Sequence, residues 1–375
     1  MLTDADMDYL RIGNEAACDE RFRNHLMETA LSGHTRLEDI RQTIVRTPII
    51  VATTSALQSR QELFQLKHFA LAVVDEASQI LEPSLIGLLA SEQIDRFVLI
   101  GDHKQLPAVV QQPEQDASVS DPLLRQRCID DCRQSLFERL LRWEQHCGRT
   151  RFVGTLRRQG RMHPDVALFP TAAFYADEQL RAVPLPHQQQ PALGYDLPAQ
   201  DPTDELLKSR RMLFFDCDNS HEDMQPLSDK VNRAEARMVA DLLRRLHRFY
   251  GERFSAQKTV GVIVPYRAQI AMIQQEIGLL GMPCLLDVSI DTVERYQGSQ
   301  RDVIIYSFTI THDYQLDFLA ANTFTEHGHL IDRKLNVALT RARCQMIMTG
   351  CAPVLRRNTL FRQLIEQFGV EVQRF

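Results

Sequence analysis

The stretch FALAVVDEASQ, Phe69 to Gln79, decides the fold. Its first six residues are apolar without a break, and they run straight into two adjacent acids, Asp75 and Glu76. An apolar run with no polar alternation is the pattern of a strand buried on both faces, as in a parallel sheet, and not of a half-solvated antiparallel one. Similar runs lie at Ile49 to Thr53, Phe97 to Ile100, Met212 to Phe215, Val260 to Val264, Val303 to Phe308 and Gln345 to Thr349, and each predicts a strand. Between them lie helical patterns, the clearest at Val231, Ala234, Met238, Val239, Leu242, Leu243 and Leu246, opened by Asn232-x-x-Glu235 as a capping box. Strands alternating with helices predict an α/β fold with parallel sheets covered by helices.

The chain has 375 residues, 44% hydrophobic and 25% charged, with 16 Gly and 16 Pro. At ~150 residues per domain this is room for two domains, and the composition is that of a folded globular protein. No apolar run reaches ~18 residues, and the amino-terminal MLTDADMDYL is acidic where a signal peptide is basic, so an intracellular protein with no membrane segment is expected. A formal charge of -6 excludes nucleic-acid binding by bulk charge and leaves a local basic groove open. Among the 8 Cys, the cluster Cys128, Cys132, His146 and Cys147 lacks a C-x-x-C pair and favours reduced thiols over zinc. Polar, turn-rich segments at Gln111 to Leu123 and Pro184 to Lys208 suggest a surface loop and an insertion. The domain boundary is expected near Gly148 to Arg151, giving domains at 1–148 and 149–375 with the insertion at 184–208.

Ligands of parallel sheets bind outside the carboxyl ends of the strands, where Asp75 and Glu76 fall. One acid suits Mg²⁺, and the other a water that attacks a γ-phosphate. By itself this is a surface turn as often as a site. RFVLIGDHKQLPAVV, Arg96 to Val110, repeats the pattern: Gly101 permits a tight exit before Asp102, and the Gln105 carboxamide suits a sensor of phosphate, or simply a polar loop. RRQGRMHP, Arg157 to Pro164, and KLNVALTRAR, Lys334 to Arg343, supply Arg161, Arg341 and Arg343, any one of which alone is more often a surface cation.

The order of these segments, with TVERYQGSQRD at Thr292 to Asp302, resembles the motif array of superfamily 1 helicases, motors with two RecA-like domains. DEAS is similar to motif II, GDHKQLP to motif III, QGRMHP to motif IV, VERYQGSQRD to motif V and LNVALTRAR to motif VI. VATTSAL, Val51 to Leu57, resembles motif Ic, and IVPYRAQI, Ile263 to Ile270, fills the slot between motifs IV and V. The resemblance runs roughly from residue 9 to residue 365. It is nearest the branch holding the nonsense-mediated-decay RNA helicase and the replication helicase/nuclease, with LRIG at Leu10 to Gly13 leaning to the latter.

The resemblance implies ATP and Mg²⁺ as cofactors. It implies that Asp75 organises Mg²⁺, Glu76 activates water, Gln105 senses the γ-phosphate, and Arg161 and Arg341 act as arginine fingers. Gly101, Asp102, Gly298, Gln300 and Arg343 would line the nucleotide. A single nucleic-acid strand, DNA before RNA and tracked 5′ to 3′, would meet Thr53, Thr54, Pro265, Tyr266, Arg267, Thr292, Tyr296 and Gln297, with Tyr266 equally suited to packing. Two positions depart from the family: Gly160 stands where an aromatic is usual, and Gln300 where a Glu is common.

The larger departure is an absence. Phosphate cradling needs G-x-x-x-x-G-K-[ST], and no Gly-Lys dipeptide occurs in the sequence. The expectation is therefore a first domain truncated at its amino terminus, with the phosphate-binding loop on an upstream or separate segment and feeble ATP hydrolysis by this chain alone. A non-catalytic helicase remnant that binds nucleic acid or protein is the alternative.

Overall fold

A computed structural model describes residues 2–60, 62–217 and 230–370. The chain divides into two compact units, one of Met1–His103 and Pro107–Val153, the other of Lys104–Leu106 and Gly154–Phe375. The tripeptide Lys104–Leu106 thus belongs to the second unit although both its sequence neighbours belong to the first. Among the described residues no helix is long and apolar enough to cross a membrane.

In the first unit, β1 (Tyr9–Ile12) pairs in parallel with β2 (Ile49–Ala52), and β3 (Ala72–Val74) in parallel with β4 (Phe97–Leu99). Each pair has a small core of its own. Leu10, Ile12, Ile44 and Leu63 close around the first, and Val74, Ala77, Leu85 and Leu136 around the second. Val73 and Val98, paired in register, are 57% and 43% exposed. Two-sided cover, expected for every strand, is therefore not met here: Val74 points inward while Val73, one residue earlier, faces solvent. The segment from Gln111 to Leu123 contains short helices at Glu114–Ala117 and Pro122–Arg125 before the long helix Leu136–His146.

The second unit begins with a two-residue parallel pair, β5 (Arg158–Gln159) beside β6 (Arg181–Ala182). Its main sheet contains β7 (Met212–Asp216), β8 (Val260–Val264), β9 (Ser289–Thr292) and β10 (Arg301–Ser307). A hairpin of β11 (Thr323–Glu326) and β12 (His329–Asp332) stands apart, and the main sheet is completed by β13 (Ala342–Gly350) and β14 (Gly369–Val370). The order is β14-β7-β13-β10-β8-β9, parallel throughout. Both faces are buried, as the uniform apolar runs require: Leu213, Phe215, Val262, Ile305 and Ile347 enter one core, and Phe214, Ile263, Ile304, Met346 and Met348 the other. Helices Arg233–Tyr250 and Arg267–Leu279 cover the first face. Helices Pro164–Phe174, Arg333–Leu339 and Thr359–Phe368 cover the second. The fold class is α/β.

Residues 184–208, expected to be an insertion, are tied into the second unit by polar contacts. Gln188, 4% exposed, donates to the carbonyls of Gln159 and Met162, and the Gln190 carbonyl accepts from Arg211 at 2.7 Å. Helix Pro202–Ser209 presents the buried Asp204 to Arg245 at 2.8 Å and to Arg248. The polar run lacks apolar periodicity because hydrogen bonds and ion pairs hold it.

The capping box is only half formed. Asn232 Oδ1 accepts from the Glu235 N–H at 3.0 Å, but the Asn232 N–H donates to Gln269 Oε1 at 2.8 Å and not to Glu235. Glu235 instead turns to the carboxyl ends of the central strands β10 and β13, where it accepts from the Thr309 N–H at 3.0 Å and the Thr349 hydroxyl at 2.9 Å. Full burial pushes its carboxyl up to about 7, against hydrogen bonds from Ser307, Thr309 and Thr349 that favour the ion.

A carboxyl raised from 4.5 to about 7 binds its proton more tightly in the folded state than in the unfolded. Its contribution to stability is complete below about pH 4.5 and is lost as the pH rises through about 7. Glu235→Gln is expected to flatten the fall in thermal midpoint between pH 5 and pH 8, in about that window; an unchanged slope in scanning calorimetry refutes the assignment.

Candidate nucleotide and nucleic-acid site

In the first unit Asp75 and Glu76 follow β3 directly and are exposed. Glu76 has φ 52°, the left-handed region, at a cost on the order of 1 kcal/mol for a residue with a Cβ. Two contacts hold it there: its N–H donates to Asp75 Oδ1 at 2.9 Å, and its Oε2 accepts from the Gln79 amide at 2.6 Å. Ala77 N–H bonds the Ile100 carbonyl at 2.7 Å, tying this turn to the exit of β4. Two adjacent carboxylates at a strand end are a hard-oxygen donor set, the kind Mg²⁺ takes with its remaining waters.

Gly101 makes the neighbouring turn possible. A Cβ there would lie 2.8 Å from the Ser78 backbone nitrogen, and the Asp102 N–H donates to Ser78 Oγ at 3.2 Å. The role of this glycine is close backbone approach, which brings the strand ends of β3 and β4 together. Thr53 caps the helix Thr54–Gln58, its Oγ1 accepting from the Ala56 N–H at 3.2 Å. Thr54 lines a groove of about 350 Å³ with Leu57, Gln58, Phe64, Ser84 and Leu88, away from the two acids in sequence.

The second unit draws residues of four separate motifs into one hydrogen-bonded set. Arg341, 1% exposed, donates from Nη2 to Gln105 Oε1 at 2.9 Å and to Thr340 Oγ1 at 3.1 Å, and from Nε to the Val337 carbonyl at 3.0 Å. Arg161 donates to the Thr340 carbonyl and to Gln300 Oε1, each at 3.2 Å. Thr340 therefore joins the two arginines, and Gln300, without charge, still accepts as a Glu would. Arg343 lies outside the set, donating to Asp302 Oδ1 at 2.7 Å. Gly298, φ 79°, is the third residue of a turn closed by the Ser299 N–H on the Tyr296 carbonyl, a type II geometry that favours glycine. At Gly160, where an aromatic is usual, Leu185 Cδ1 stands 3.2 Å from the place of a Cβ.

Lys104 and Asn336 were not singled out by sequence. Lys104, 3% exposed, pairs with Glu178 at 2.7 Å and Glu326 at 3.0 Å and donates to the Phe174 carbonyl at 3.0 Å. Burial works against its charge, and the two carboxylates outweigh it and raise its pKa. Asn336, wholly buried, donates to the Lys104 carbonyl and to Tyr175 Oη, each at 2.8 Å. Together they seat Gln105 beside Arg341. The only sequence signal was a Lys inside a polar loop, and its partners lie 74 and 222 positions away.

The nucleic-acid candidates divide. Arg267 is exposed, while Pro265 and Thr292 are half-buried at the carboxyl ends of β8 and β9. Tyr266 is 8% exposed and stacks on Phe318, ring centroids 4.9 Å apart, which is the packing alternative. Tyr296 is corrected: it is 2% exposed and its hydroxyl donates to the Ser289 carbonyl at 2.5 Å. Its ring is not presented to a base. Gly261 allows this, since a Cβ there would meet the Tyr296 hydroxyl at 2.4 Å. Gln297 Nε2 is buried with no hydrogen-bond partner among the described residues.

The chain belongs to the AAA domain family of superfamily 1 helicases: a model described as AAA domain matches residues 132–353, and a second of the same description matches residues 14–113. It is 31% identical over 327 residues to Regulator of nonsense transcripts 1 of Dictyostelium discoideum, covering 85% of this chain and 21% of that protein. It is 30% identical over 339 residues to the DNA replication ATP-dependent helicase/nuclease of Xenopus laevis, covering 86% and 29%. It is 28% identical over 341 residues to the DNA polymerase alpha-associated DNA helicase A of Saccharomyces cerevisiae, covering 85% and 44%. The chain thus spans less than half the length of each. A solved Arterivirus nonstructural protein 10 (helicase) with DNA, 14% identical at a TM-score of 0.40 and covering 97% of this chain and 52% of that one, is too distant to bear on fold or ligand.

Gly101→Ala is expected to cost about 1–3 kcal/mol, because the obstacle is backbone and cannot swing aside. Gly87→Ala, in helix Glu82–Leu89 with no atom within 4 Å of the new methyl, should be neutral or stabilising by about 0.4–1 kcal/mol. Denaturant midpoints compare the two, and equal midpoints refute the close-approach role.

Proposed function

We propose that this chain is part of an ATP-driven motor that moves along single-stranded nucleic acid, DNA by its relatives' names, in the 5′ to 3′ direction inside the cell. The observation that carries the reading is the hydrogen-bonded set Gln105, Arg341, Thr340, Arg161 and Gln300. It gathers side chains from motifs III, IV, V and VI, 236 positions apart at the widest. A fold that needed these residues only for packing has no reason to assemble two guanidiniums on one threonine.

Each side chain then has a role fitted to its chemistry. Asp75 holds Mg²⁺, which when bound neutralises charge on the phosphate oxygens. Glu76, set by the Gln79 amide, orients a water and takes its proton. Arg161 and Arg341 offer fixed positive charge to the phosphoryl group, where it develops negative charge on transfer. Gln105 accepts from Arg341, so a phosphate oxygen that competes for that N–H also shifts Gln105, which is what a sensor requires. Gly101, Asp102, Gly298, Gln300 and Arg343 would line the nucleotide. Thr53, Thr54, Pro265, Arg267, Thr292 and Gln297 contact the strand's backbone.

The loop that would cradle the phosphates needs Gly-Lys, which the sequence lacks. In this reading that loop comes from another segment, and residues 1–148 and 149–375 are portions of two RecA-like domains. The exposed Val73 and Val98 on β3 and β4 support an additional packing partner for the first unit.

The test is ATP hydrolysis stimulated by single-stranded DNA, on the chain alone and after adding a segment that carries the phosphate loop. Activity only with the segment, falling by about 10²–10⁴-fold in Glu76→Gln, is the expected result. Hydrolysis by the chain alone refutes the role of the missing loop, and no hydrolysis in either case favours a non-catalytic binding module.

A further inference from the structure

The pair β5 and β6 sets Arg158 and Arg181 in direct register. In-register residues of neighbouring strands present their side chains on the same face, and like charges so placed repel. Both arginines are exposed, and neither has an ion pair among the described residues, although the chain has 49 acids to 43 bases. The pairing is set by main-chain contacts, with the Arg181 N–H on the Arg157 carbonyl at 2.7 Å and the Val183 N–H on the Gln159 carbonyl at 3.0 Å. Gln188 holds the same segment from within, donating to the Gln159 carbonyl at 3.0 Å. The backbone thus fixes the two Cα positions side by side, and both side chains leave the same face. Arg157, the preceding residue, is exposed as well, and Leu156 before it is 82% exposed.

We propose that Arg158 and Arg181 form a phosphate-binding site for the backbone of a single nucleic-acid strand, with Leu156 offering apolar surface to a base. A phosphate between two guanidiniums converts their repulsion into two charge-assisted contacts, and arginine's planar fork suits its oxygens. A phosphodiester and the phosphates of a free nucleotide share this chemistry. The polynucleotide is favoured because Arg157 and Leu156, which adjoin Arg158 in the same unit, are exposed too and extend the basic surface with apolar surface beside it. A positively charged surface that tracks the backbone is the common element of sequence-tolerant strand binding. This inference rests on the nucleic-acid reading above, and it adds a contact that the helicase motifs do not include.

The experiment is fluorescence anisotropy of a labelled oligothymidylate with the full chain over a series of salt concentrations, using the double variant Arg158→Gln/Arg181→Gln. Because both side chains are exposed, the thermal midpoint should be unchanged or slightly raised. Binding is expected to weaken about tenfold, and the slope of log affinity against log salt to become shallower by about 0.7, the value for one lost phosphate contact on a single strand. Arg158→Lys/Arg181→Lys should restore most of the slope. Equal affinity and slope in the glutamine variant overturn the site while leaving the nucleic-acid reading in place. Loss of MgATP binding with oligonucleotide binding intact reassigns the phosphate to a nucleotide and also overturns it. No binding by the unsubstituted chain overturns both.

Discussion

Parallel pairing with both faces covered is the constraint on which the second unit depends. Interior strands such as β8 and β10 can hold only apolar side chains along most of their length, because helices lie on either side. Polar groups are displaced to the carboxyl ends, where the chain leaves the sheet. Ser307, Thr309 and Thr349 stand there around Glu235, and Pro265 and Thr292 end β8 and β9. The same exclusion explains why the residues proposed for chemistry lie on turns and loops or within two residues of a strand end.

Burying charge so close to an apolar core demands partners. Lys104 has two carboxylates and a carbonyl, Arg341 a carboxamide, a hydroxyl and a carbonyl, and Asp204 two guanidiniums. Leaving any one of these uncompensated costs several kcal/mol, more than most single contacts in the protein contribute. The consequence for function is precision. Gln105 is seated because the residue before it is an anchored lysine whose own carbonyl is bonded to Asn336, and Arg341 has its position because Gln105 is seated. A motif that looks like a flexible polar loop is, at Lys104–Leu106, part of the second unit's interior.

Legibility followed the range of the interaction. Seven apolar runs predicted seven strands, and the helix from Arg233 was plain from its period, because backbone pattern and burial are local properties. The helix cap at Asn232 was also local and was found. What Glu235 does was not, since its partners Thr309 and Thr349 lie 74 and 114 positions away. Tyr296 stood among the candidate nucleic-acid contacts and is packed in the core, in space that Gly261 on β8 leaves open. Residues 184–208 read only as an insertion because no apolar period runs through them, while their anchors, Gln188 and Asp204, are polar and pair with residues remote in sequence.

The sequence by itself determined the α/β class, the parallel sense of the strands and the ordered motifs that place the chain in its family. Those are consequences of spacing along one chain, and spacing is visible without coordinates. Only the tertiary structure decided which motif residues meet: that Thr340 joins Arg161 to Arg341, that Lys104 is buried between Glu178 and Glu326, and that Arg158 and Arg181 share one register position. Hydrogen bonds and charges act over a few ångströms, and which side chains come within that distance is set by how the sheet folds the chain back on itself, not by their order along it.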